Sequence, residues 1–502
     1  MKTARKIVII MTDTQRTDML GCYGNKDMKT PNIDRLAKEG CRFDRAYTCQ
    51  PVCGPARSAI FSGTYPHSNG SWGNHMALGD NVKTIGQRLR DEGIHTAYIG
   101  KWHLDGGDYF GMGRCPDGWD PNYWYDMRCY LEELPEEDRR WSRRKDIVEK
   151  REVKEDFTYG HRCSNRAIDF LSCHGADDFL LVVSYDEPHG PFVCPEPYSS
   201  MYKGYEFPKS PNVYDILEGK PEHQKVWAGK RLLEDKEKLK IKRHQFFGCN
   251  SFVDYEIGRV MEAIEQYAPD AMVIYTSDHG DALCSHSLDS KGAAMYDEII
   301  RVPFIIKWPL VIRPDTVYKD PVSHIDIAPT IMEAKGMKIP KLLEGRSLMP
   351  AMEDLDTRVN EYVFTEFTRF EIDHDSHGGF QPIRAVFDGR HKLVINLMTS
   401  DELYDLEEDP WEMENLIECE KYTKIRDKLH DKILEWMNDT RDPFRGYYWE
   451  LRRWRKDAKP ASWKYTGFTR QREHEEYEPR ELDYNTGVEI VEAARKSHPY
   501  TL

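Results

Sequence analysis

One short segment combines a nucleophile, a cation and the signals of a helix. Residues 49–63 read Cys-Gln-Pro-Val-Cys-Gly-Pro-Ala-Arg-Ser-Ala-Ile-Phe-Ser-Gly, which predicts a tight turn and then a short helix that Gly63 ends. Cys53 then lies at the N-terminus of that helix, where the partial positive charge favours a thiolate or a bound oxyanion. Arg57 follows one turn later and supplies a fixed cation with several donors. The segment therefore indicates a site that holds a tetrahedral anion beside an unusual nucleophile.

Two simpler interpretations of these cysteines stay open at this point. A single cysteine is often only a small buried hydrophobic side chain. Cys49 and Cys53 could also form half of a zinc site, although the sequence offers no second half at the usual spacing. The rest of the chain decides, because a catalytic site needs a metal or an anion pocket around the cysteine.

Acidic side chains follow two segments that predict buried strands. The apolar segment 6–11 precedes Asp13, and the apolar segment 271–276 precedes Asp278 and His279. Open α/β sheets place their sites at the carboxyl ends of strands, so these side chains are expected to meet. The alternative for Asp13 is a simple cap of the next turn. Two carboxylates and an imidazole form an oxygen-rich set that suits Ca²⁺, Mg²⁺ or Mn²⁺ better than a structural zinc.

Basic side chains follow two further predicted strands. Lys101 and His103 leave a short strand at 95–99, and they are two positions apart, so both can point the same way from an extended loop. His189 follows another apolar strand, and Lys291 lies in a later loop. Each could be a solvated lysine or an ordinary hydrogen-bonded histidine. Loops at strand ends are nevertheless where ligands are contacted.

Together these elements resemble the signature of type I sulfatases, a family of the alkaline phosphatase superfamily. The resemblance rests on Cys-x-Pro-x-Arg at 53–57, on Gly-Lys-Trp-His at 100–103 and on the order of the strand ends, and it spans residues 6–440. It implies an α/β, alkaline-phosphatase-like sandwich in which a large, mostly parallel central sheet lies between helices. It also implies a catalytic domain at 1–375 and a smaller C-terminal α+β domain, with a short antiparallel sheet and an extended tail, at 376–502.

The resemblance also implies a role for individual residues. In that family the cysteine is oxidised after translation to formylglycine, so Cys53 is expected to supply a hydrated aldehyde as the nucleophile. The expected ligands of a divalent metal, Ca²⁺ first and Mg²⁺ or Mn²⁺ as alternatives, are Asp13, Cys53, Asp278 and His279. The expected catalytic residues are Cys53, Arg57, His103 and His189, of which His189 protonates the leaving group, and the expected sulfate-binding residues are Lys101 and Lys291.

One position departs from the family pattern. Sulfatases often carry two adjacent acidic residues after the first strand, whereas Thr14 follows Asp13 here, so Thr14 or Gln15 is expected to be at most an auxiliary group. Related phosphonate monoester hydrolases also lack the second acid, and a phosphonate or phosphate ester hydrolase is therefore the alternative to a sulfatase. A non-catalytic anion-binding relative is a third alternative, although a binding protein would not need the cysteine, arginine, lysines and metal set together.

Composition limits the partners. The 502 residues carry a formal net charge of -15, which argues against nucleic acid. No apolar stretch approaches the length of a membrane span, and the N-terminal apolar run is too short for a signal peptide. The twelve cysteines are scattered along the chain. We therefore expect a cytoplasmic location with reduced thiols. The expected partners are a small sulfated substrate, most simply a sugar, and a formylglycine-generating or anaerobic sulfatase-maturating enzyme; a homo-oligomer is an open alternative.

The leaving group is the least defined part of the site. Polar or aromatic residues near the motif loops and the domain junction are candidates for contacting it, each with a structural role as the alternative: Trp72, Asn74, Asp105, His374 and Arg384. The charged segment 132–156 predicts a solvated helix or insertion, and 220–243 predicts a polar helical excursion on the surface.

Overall fold

A seven-stranded sheet forms the centre of the molecule. The structure, a computed structural model, describes residues 3–106, 109–309, 311–371, 378–455 and 457. The strands of this part are β1 (Lys6–Thr12), β2 (Cys41–Phe43), β3 (Ala46–Tyr47), β4 (His95–Gly100), β5 (Phe179–Ser184), β6 (Met272–Ser277), β7 (Arg301–Val302), β8 (Phe304–Lys307), β9 (Thr316–Tyr318), β10 (Val322–Ser323), β11 (Val363–Phe367), β12 (Ile383–Phe387), β13 (His391–Asn396) and β14 (Glu402–Asp405). The central sheet has the order β4-β5-β1-β6-β8-β2-β9, and its first four strands run parallel.

Helices cover both faces of this sheet, and others pack elsewhere in the molecule. They are α1 (Pro31–Glu39), α2 (Cys53–Ser62), α3 (Pro66–Asn69), α4 (Ile85–Asp91), α5 (Met127–Glu133), α6 (Glu136–Trp141), α7 (Ile147–Lys150), α8 (Tyr159–His174), α9 (Tyr198–Met201), α10 (Glu222–Ala228), α11 (His244–Tyr267), α12 (Asp297–Ile300), α13 (Ile327–Ala334), α14 (Met349–Glu353) and α15 (Thr423–Asp439). None of the helices in the described part of the chain is long and apolar enough to cross a bilayer.

The alternation of side chains along β1 explains the layers. Ile7 and Ile9 pack into one apolar cluster with α2, α4 and α13, whereas Val8 and Ile10 pack into a second cluster with α8 and α11. Because both faces of the strand are buried, its sequence is continuously apolar rather than alternating, as expected for a parallel strand. The predicted sandwich with a large, mostly parallel central sheet is confirmed.

A separate four-stranded antiparallel sheet, β11-β12-β13-β14, packs against α15. A hairpin turn at Asp388 and Gly389 joins β12 to β13, and the Asp388 carboxylate accepts hydrogen bonds from the backbone N–H groups of the two residues after the glycine. The first strand of this sheet, Val363–Phe367, precedes residue 376 in the chain. The domain boundary at 376 therefore stays a prediction, and the predicted tail lies outside the described residues from 458 onward.

A fully buried ionic cluster joins the two parts of the chain. Arg384 on β12 forms two hydrogen bonds with the Asp442 carboxylate, at 2.5 and 3.0 Å, and lies 3.6 Å from Glu366 on β11. Glu366 in turn bonds His67 on α3. Arg384 is therefore a structural residue and does not contact the leaving group, because its donors are directed at these carboxylates.

Candidate active site

The carboxyl ends of four neighbouring parallel strands meet at one edge of the central sheet. Asp13 follows β1, Lys101 follows β4, Asp186 lies two residues beyond β5, and Asp278 follows β6. All four side chains are buried. Gly100 permits the close approach of β4 to β5, since a Cβ there would lie 1.9 Å from a backbone carbonyl oxygen of β5. The topology thus gathers residues that are far apart in the sequence.

α2 enters this edge with Cys53 as its first residue. Every residue of α2 is buried, and Gly63 ends the helix in the left-handed conformation, as the sequence predicts. The Sγ atom of Cys53 lies 3.2 Å from His279 Nε2 and 3.9 Å from Asp13 Oδ1. Burial and the Asp13 carboxylate raise the pKa of Cys53 to about 12. The expectation that the helix N-terminus favours a thiolate is therefore wrong, because desolvation and a neighbouring negative charge outweigh the helix dipole.

The Arg57 guanidinium ties α2 to the strand ends. Its Nε donates to Asp278 Oδ2 at 3.1 Å, and its Nη1 donates to the Lys101 carbonyl oxygen at 2.6 Å and to Ser184 Oγ at 2.7 Å. Its Nη2 lies 3.5 Å from Asp13 Oδ2. Because the guanidinium presents its donors in one rigid plane, it fixes the orientation of the helix that carries Cys53.

Lys101 lies between two carboxylates. Its Nζ is 2.7 Å from Asp13 Oδ2 and 2.9 Å from Asp186 Oδ1. Burial disfavours the ammonium form, but the two carboxylates hold the pKa of Lys101 well above its usual value. Burial likewise opposes the charge of Asp13, yet Lys101 keeps the pKa of that carboxyl well below its usual range. Lys101 is therefore a cation at neutral pH.

Sequence reasoning missed three residues of this site. The Tyr109 hydroxyl donates to Asp186 Oδ1 and lies 3.1 Å from Nδ1 of His189. Arg143 donates to Asp186 Oδ2 at 3.3 Å. Asp186 follows a buried strand as Asp13 does, so that signal could have identified it. Arg143 lies in the charged segment 132–156, where nothing in the sequence distinguishes it from its neighbours, and Tyr109 lies in a loop without a strong pattern.

The two histidines predicted to be catalytic, His103 and His189, lie at the same site in uncharged form. Burial and Lys101 lower the pKa of His189 to about 4, with a further contribution from Lys291. Burial lowers the pKa of His103 well below its usual value, and Lys101 and Arg57 lower it further. The Nδ1 atom of His103 is buried and has no hydrogen-bond partner among the described residues. Both side chains therefore present neutral imidazoles in the protein alone.

Lys291 reaches the pocket from a strained loop. Five non-glycine residues of this loop adopt the left-handed conformation: Leu283, Cys284, His286, Ser287 and Ser290. Burial opposes the charge of Lys291, but the acidic groups of Cys53 and Asp13 outweigh it and raise the pKa of the lysine. His286 of the same loop is buried, bonds Asp215 at 2.7 Å and stacks on Tyr296, so its role is structural.

Four side chains offer ligand atoms to one point. Asp13, Cys53, Asp278 and His279 are all buried, and one donor atom of each lies within 4.8 Å of the others. His279 Nδ1 donates to the Gly280 carbonyl oxygen at 2.9 Å, so Nε2 keeps its lone pair toward the cluster. Burial and the charge of Asp13 raise the pKa of Asp278 to about 7, and together they outweigh the opposing effect of the Arg57 guanidinium. The donor set therefore fits a hard divalent ion.

The residue after Asp13 does not add a ligand. Thr14 Oγ1 donates to Asp13 Oδ1 at 2.6 Å and so orients that carboxylate. The Gln15 amide points elsewhere and donates to Asn250 Oδ1 at 2.7 Å. The auxiliary role predicted for this position thus falls to Thr14 alone.

The remaining candidates have structural contacts. Asn74 Oδ1 accepts from the Gly54 N–H at 2.9 Å, which braces the first turn of α2. Asp105 accepts from a backbone N–H at 2.8 Å, and the Trp72 ring packs against His75 and Phe444. Cys49 Sγ lies 3.3 Å from Ser323 Oγ, so this thiol pairs with a hydroxyl. His374 lies outside the described residues.

A cavity of about 590 Å³ adjoins these groups. Its walls include His189 and Lys291 of the site and, further along, the cations Arg143, Lys145 and Arg243. The site therefore has room for a substrate larger than a bare sulfate ion.

Comparison with known proteins gives independent information. The family model described as Sulfatase matches residues 5–337, and the model described as N-sulphoglucosamine sulphohydrolase, C-terminal, matches residues 288–439. The chain is similar to an uncharacterized sulfatase, YidJ, of Escherichia coli (strain K12), with 46% identity over 488 residues that cover 96% of both chains. It is 25% identical over 511 residues to an N-acetylglucosamine-6-O-sulfatase of Bacteroides thetaiotaomicron, covering 87% of each chain.

Solved structures share the fold. The structure of BT4656 in complex with its substrate D-glucosamine-2-N,6-O-disulfate matches with a TM-score of 0.71 and 22% identity, over 88% of this chain and 99% of that one. The family model matches well over half of the chain, and the relative from E. coli matches almost the whole of it. The chain belongs to the sulfatase family and is a sulfuric ester hydrolase.

Proposed function

We propose that this enzyme removes sulfate from a sulfated mono- or oligosaccharide, with a formylglycine made from Cys53 and a divalent metal, Ca²⁺ in the first instance. The observation that carries the proposal is that three cations lie around the four-residue donor set, which includes Cys53, in one buried pocket. These cations are Arg57, Lys101 and Lys291. The relative named as an N-acetylglucosamine-6-O-sulfatase supports a sugar as the alcohol part of the ester.

Two groups that the family implies would complete the site. Asp13, Asp278, His279 and the modified Cys53 would hold the ion, and Mg²⁺ or Mn²⁺ are the alternatives that the same set accepts. When bound, the ion supplies a Lewis acid, and the formylglycine hydrate supplies a hydroxyl nucleophile in place of the thiol. The protonated state of the Cys53 thiol supports the need for that replacement.

The two lysines bind the anion. Lys101 and Lys291 are both buried and both cationic, in a medium where charge interactions are strong. Lys101 Nζ contacts Asp13 and Asp186, which leaves one of its three N–H groups, together with the Lys291 ammonium, for the sulfate oxygens. Arg57 has committed its donors to Asp278, Ser184 and the Lys101 carbonyl oxygen. We therefore assign Arg57 to positioning the nucleophile-bearing helix, and the lysines to charge stabilisation.

The histidines handle protons. His189 Nδ1 lies 2.9 Å from the Gly190 carbonyl oxygen, so Nδ1 carries a hydrogen and Nε2 is the atom that exchanges protons. The two lysines that lower its pKa are neutralised when the sulfate ester binds, which allows Nε2 to take up a proton and pass it to the departing alkoxide. His103, uncharged and unpartnered at Nδ1, accepts a proton in the step that restores the resting site.

We further infer a reducing, cytoplasmic location and maturation by a formylglycine-generating or anaerobic sulfatase-maturating enzyme. All twelve cysteines are free thiols, which supports a compartment without disulfide formation. A homo-oligomer is a subordinate proposal that light scattering after gel filtration tests directly.

The decisive experiment is the mass of the tryptic peptide that contains Cys53, from protein co-expressed with a maturating enzyme. Conversion of the thiol to the aldehyde lowers the mass by about 18 Da. We expect that mass loss together with sulfate release from sulfated sugars and slower turnover of phosphonate esters. Cys53→Ala abolishes both signals, whereas Cys173→Ala, at an exposed cysteine, retains both. An unmodified thiol in an active enzyme contradicts the proposed nucleophile.

A further inference from the structure

The cavity beside the site has a charged wall that sulfate binding does not use. We propose that the preferred substrate carries a second anionic group on its sugar, and that Lys145 and Arg243 bind it; the proposal rests on the proposed function. The shared chemistry is an anion next to the sulfated ring, and its source is either a uronic acid carboxylate or a second sulfate. We call the pair Lys145 and Arg243 the outer cations.

The outer cations line the same cavity as the residues assigned to chemistry. His189 and Lys291 line the cavity together with Lys145 and Arg243. A substrate that places its sulfate at Lys291 therefore extends along a wall on which both outer cations lie.

Both outer cations have donors to spare. Lys145 is exposed and forms no ion pair or hydrogen bond with any described residue. Arg243 is 44% exposed in its side chain, and only its Nη2 is engaged, with Asp289 at 3.2 Å. Asp289 is also held by Arg231 at 2.5 Å, so this carboxylate is shared between two guanidinium groups and does not neutralise Arg243 alone.

A third cation of the cavity is already committed. Arg143 donates to Asp186 Oδ2 at 3.3 Å and to the Gly190 carbonyl oxygen at 3.0 Å. We therefore assign Arg143 to positioning Asp186 and the His189 loop, and leave it out of the second anion site. Its charge nevertheless adds to the positive potential of the cavity.

The charge balance of the cavity contrasts with that of the whole protein. The chain has a net charge of -15, yet the cavity contains Arg143, Lys145, Arg243 and Lys291 against two acids, Asp281 and Asp289. A local excess of cations in an acidic protein attracts an anionic ligand selectively. Phe192 and Phe246 form an apolar part of the same wall, with ring centroids 5.1 Å apart, and such a surface suits the face of a sugar ring.

The test compares substrates of equal sulfate chemistry and different second charge. Matured protein is assayed with four probes. Two carry the sulfate as their only charge, namely an aryl sulfate and a monosulfated sugar, called neutral here for the rest of the molecule. Two carry a second charge, namely a sulfated uronic acid sugar and a disulfated sugar. We expect kcat/KM to be about tenfold higher for at least one of the two doubly charged sugars than for the neutral sugar, which is the size expected of two partly exposed ionic contacts. Whichever doubly charged sugar is preferred identifies the source of the anion.

Variants locate the effect. In the double variant K145Q/R243Q the ratio of kcat/KM between the doubly charged and the neutral sugar is expected to fall to about one. Lys242→Gln is the matched control, since Lys242 is exposed in the same segment but does not line the cavity, and its ratio is expected to stay that of the wild type. The ratio also falls when ionic strength rises from about 0.01 M to about 0.15 M, because exposed charges are screened.

Two results overturn the inference: equal kcat/KM for neutral and doubly charged sugars in the wild type, or an unchanged ratio in the double variant. Failure of the proposed function is a different result, namely no sulfate release from any probe, the aryl sulfate included, by protein whose Cys53 has been shown to carry the aldehyde.

Discussion

Replacement of Arg57 by lysine keeps the buried positive charge but removes the planar arrangement of donors. Arg57 is fully buried, and its guanidinium hydrogen-bonds Asp278, the Lys101 carbonyl oxygen and Ser184 at 2.6 to 3.1 Å. A single ammonium nitrogen cannot reach acceptors on different edges of the guanidinium plane, so two of these charge-assisted hydrogen bonds are lost. Each contributes about 1.5–3 kcal/mol to stability.

The lower end of that range applies here. Ser184 Oγ and the Tyr98 hydroxyl also donate to the Lys101 carbonyl oxygen, at 2.9 and 2.6 Å, so this acceptor keeps two partners in the variant. We therefore expect Arg57→Lys to lower the free energy of unfolding by about 3 kcal/mol. The assay is urea-induced unfolding followed by tryptophan fluorescence, with a chelator present so that bound metal does not contribute, and with the dependence on urea compared between variants.

A matched substitution shows whether the loss comes from the buried geometry. Arg35→Lys changes an arginine whose side chain is 36% exposed and whose ion pair with Glu265 spans 3.1 Å. We expect it to change stability by less than about 0.5 kcal/mol. An Arg57→Lys protein as stable as Arg35→Lys would refute the argument that the plane of donors fixes α2.

Three further predictions concern the metal set and the ionic cluster. Because the pKa of Asp278 is raised to about 7, binding of Ca²⁺ below that pH displaces a proton. The affinity for Ca²⁺ is therefore expected to weaken about tenfold per pH unit below pH 7, and calorimetry in two buffers should show proton release near pH 6. Without metal, the same shift makes the free energy of unfolding fall as pH rises from about 4 to about 7, since the folded state binds the extra proton. Equal Kd values at pH 6 and pH 8 would exclude this. Gly280→Ala places a Cβ 2.0 Å from the Glu298 carbonyl oxygen and should displace the neighbouring His279. We expect calorimetry to show a loss of about tenfold or more in Ca²⁺ affinity. Unchanged affinity would show that the loop adapts. Arg384→Met leaves two buried carboxylates without their cation and should cost about 3–5 kcal/mol in urea unfolding, far more than Arg35→Met; a cost below about 1 kcal/mol would mean that the cluster contributes little.

Much of the site could be predicted because its residues follow strong local patterns. Continuous apolar runs identify buried parallel strands, and their carboxyl ends meet at one sheet edge whatever the sequence distance between them. Asp13, Lys101 and Asp278 were predictable in this way, and the glycine that ends α2 placed Cys53 and Arg57 on one helix. The fold class was predicted from the resemblance to the sulfatase family.

What could not be predicted depends on long-range packing. Arg143 lies among many charged residues, and only the folded chain selects it to contact Asp186. The protonation state of Cys53 was wrongly predicted, because the helix N-terminus is visible in the sequence while complete burial beside Asp13 is not. Arg384 looked available for a ligand until the structure placed Glu366 and Asp442 around it.

Under the proposed conversion of Cys53 to formylglycine, the burial of this residue sets an order of events in the life of the protein. The side chain is 1% exposed and lies beneath the strand ends, so the active site of a second enzyme has no route to it once α2 has packed. Conversion of the cysteine therefore competes in time with folding of the nascent or unfolded chain. On that proposal, the active fraction in a cell depends on the rate of conversion relative to the rate of folding, and copies that fold first stay inactive however much maturating enzyme appears later.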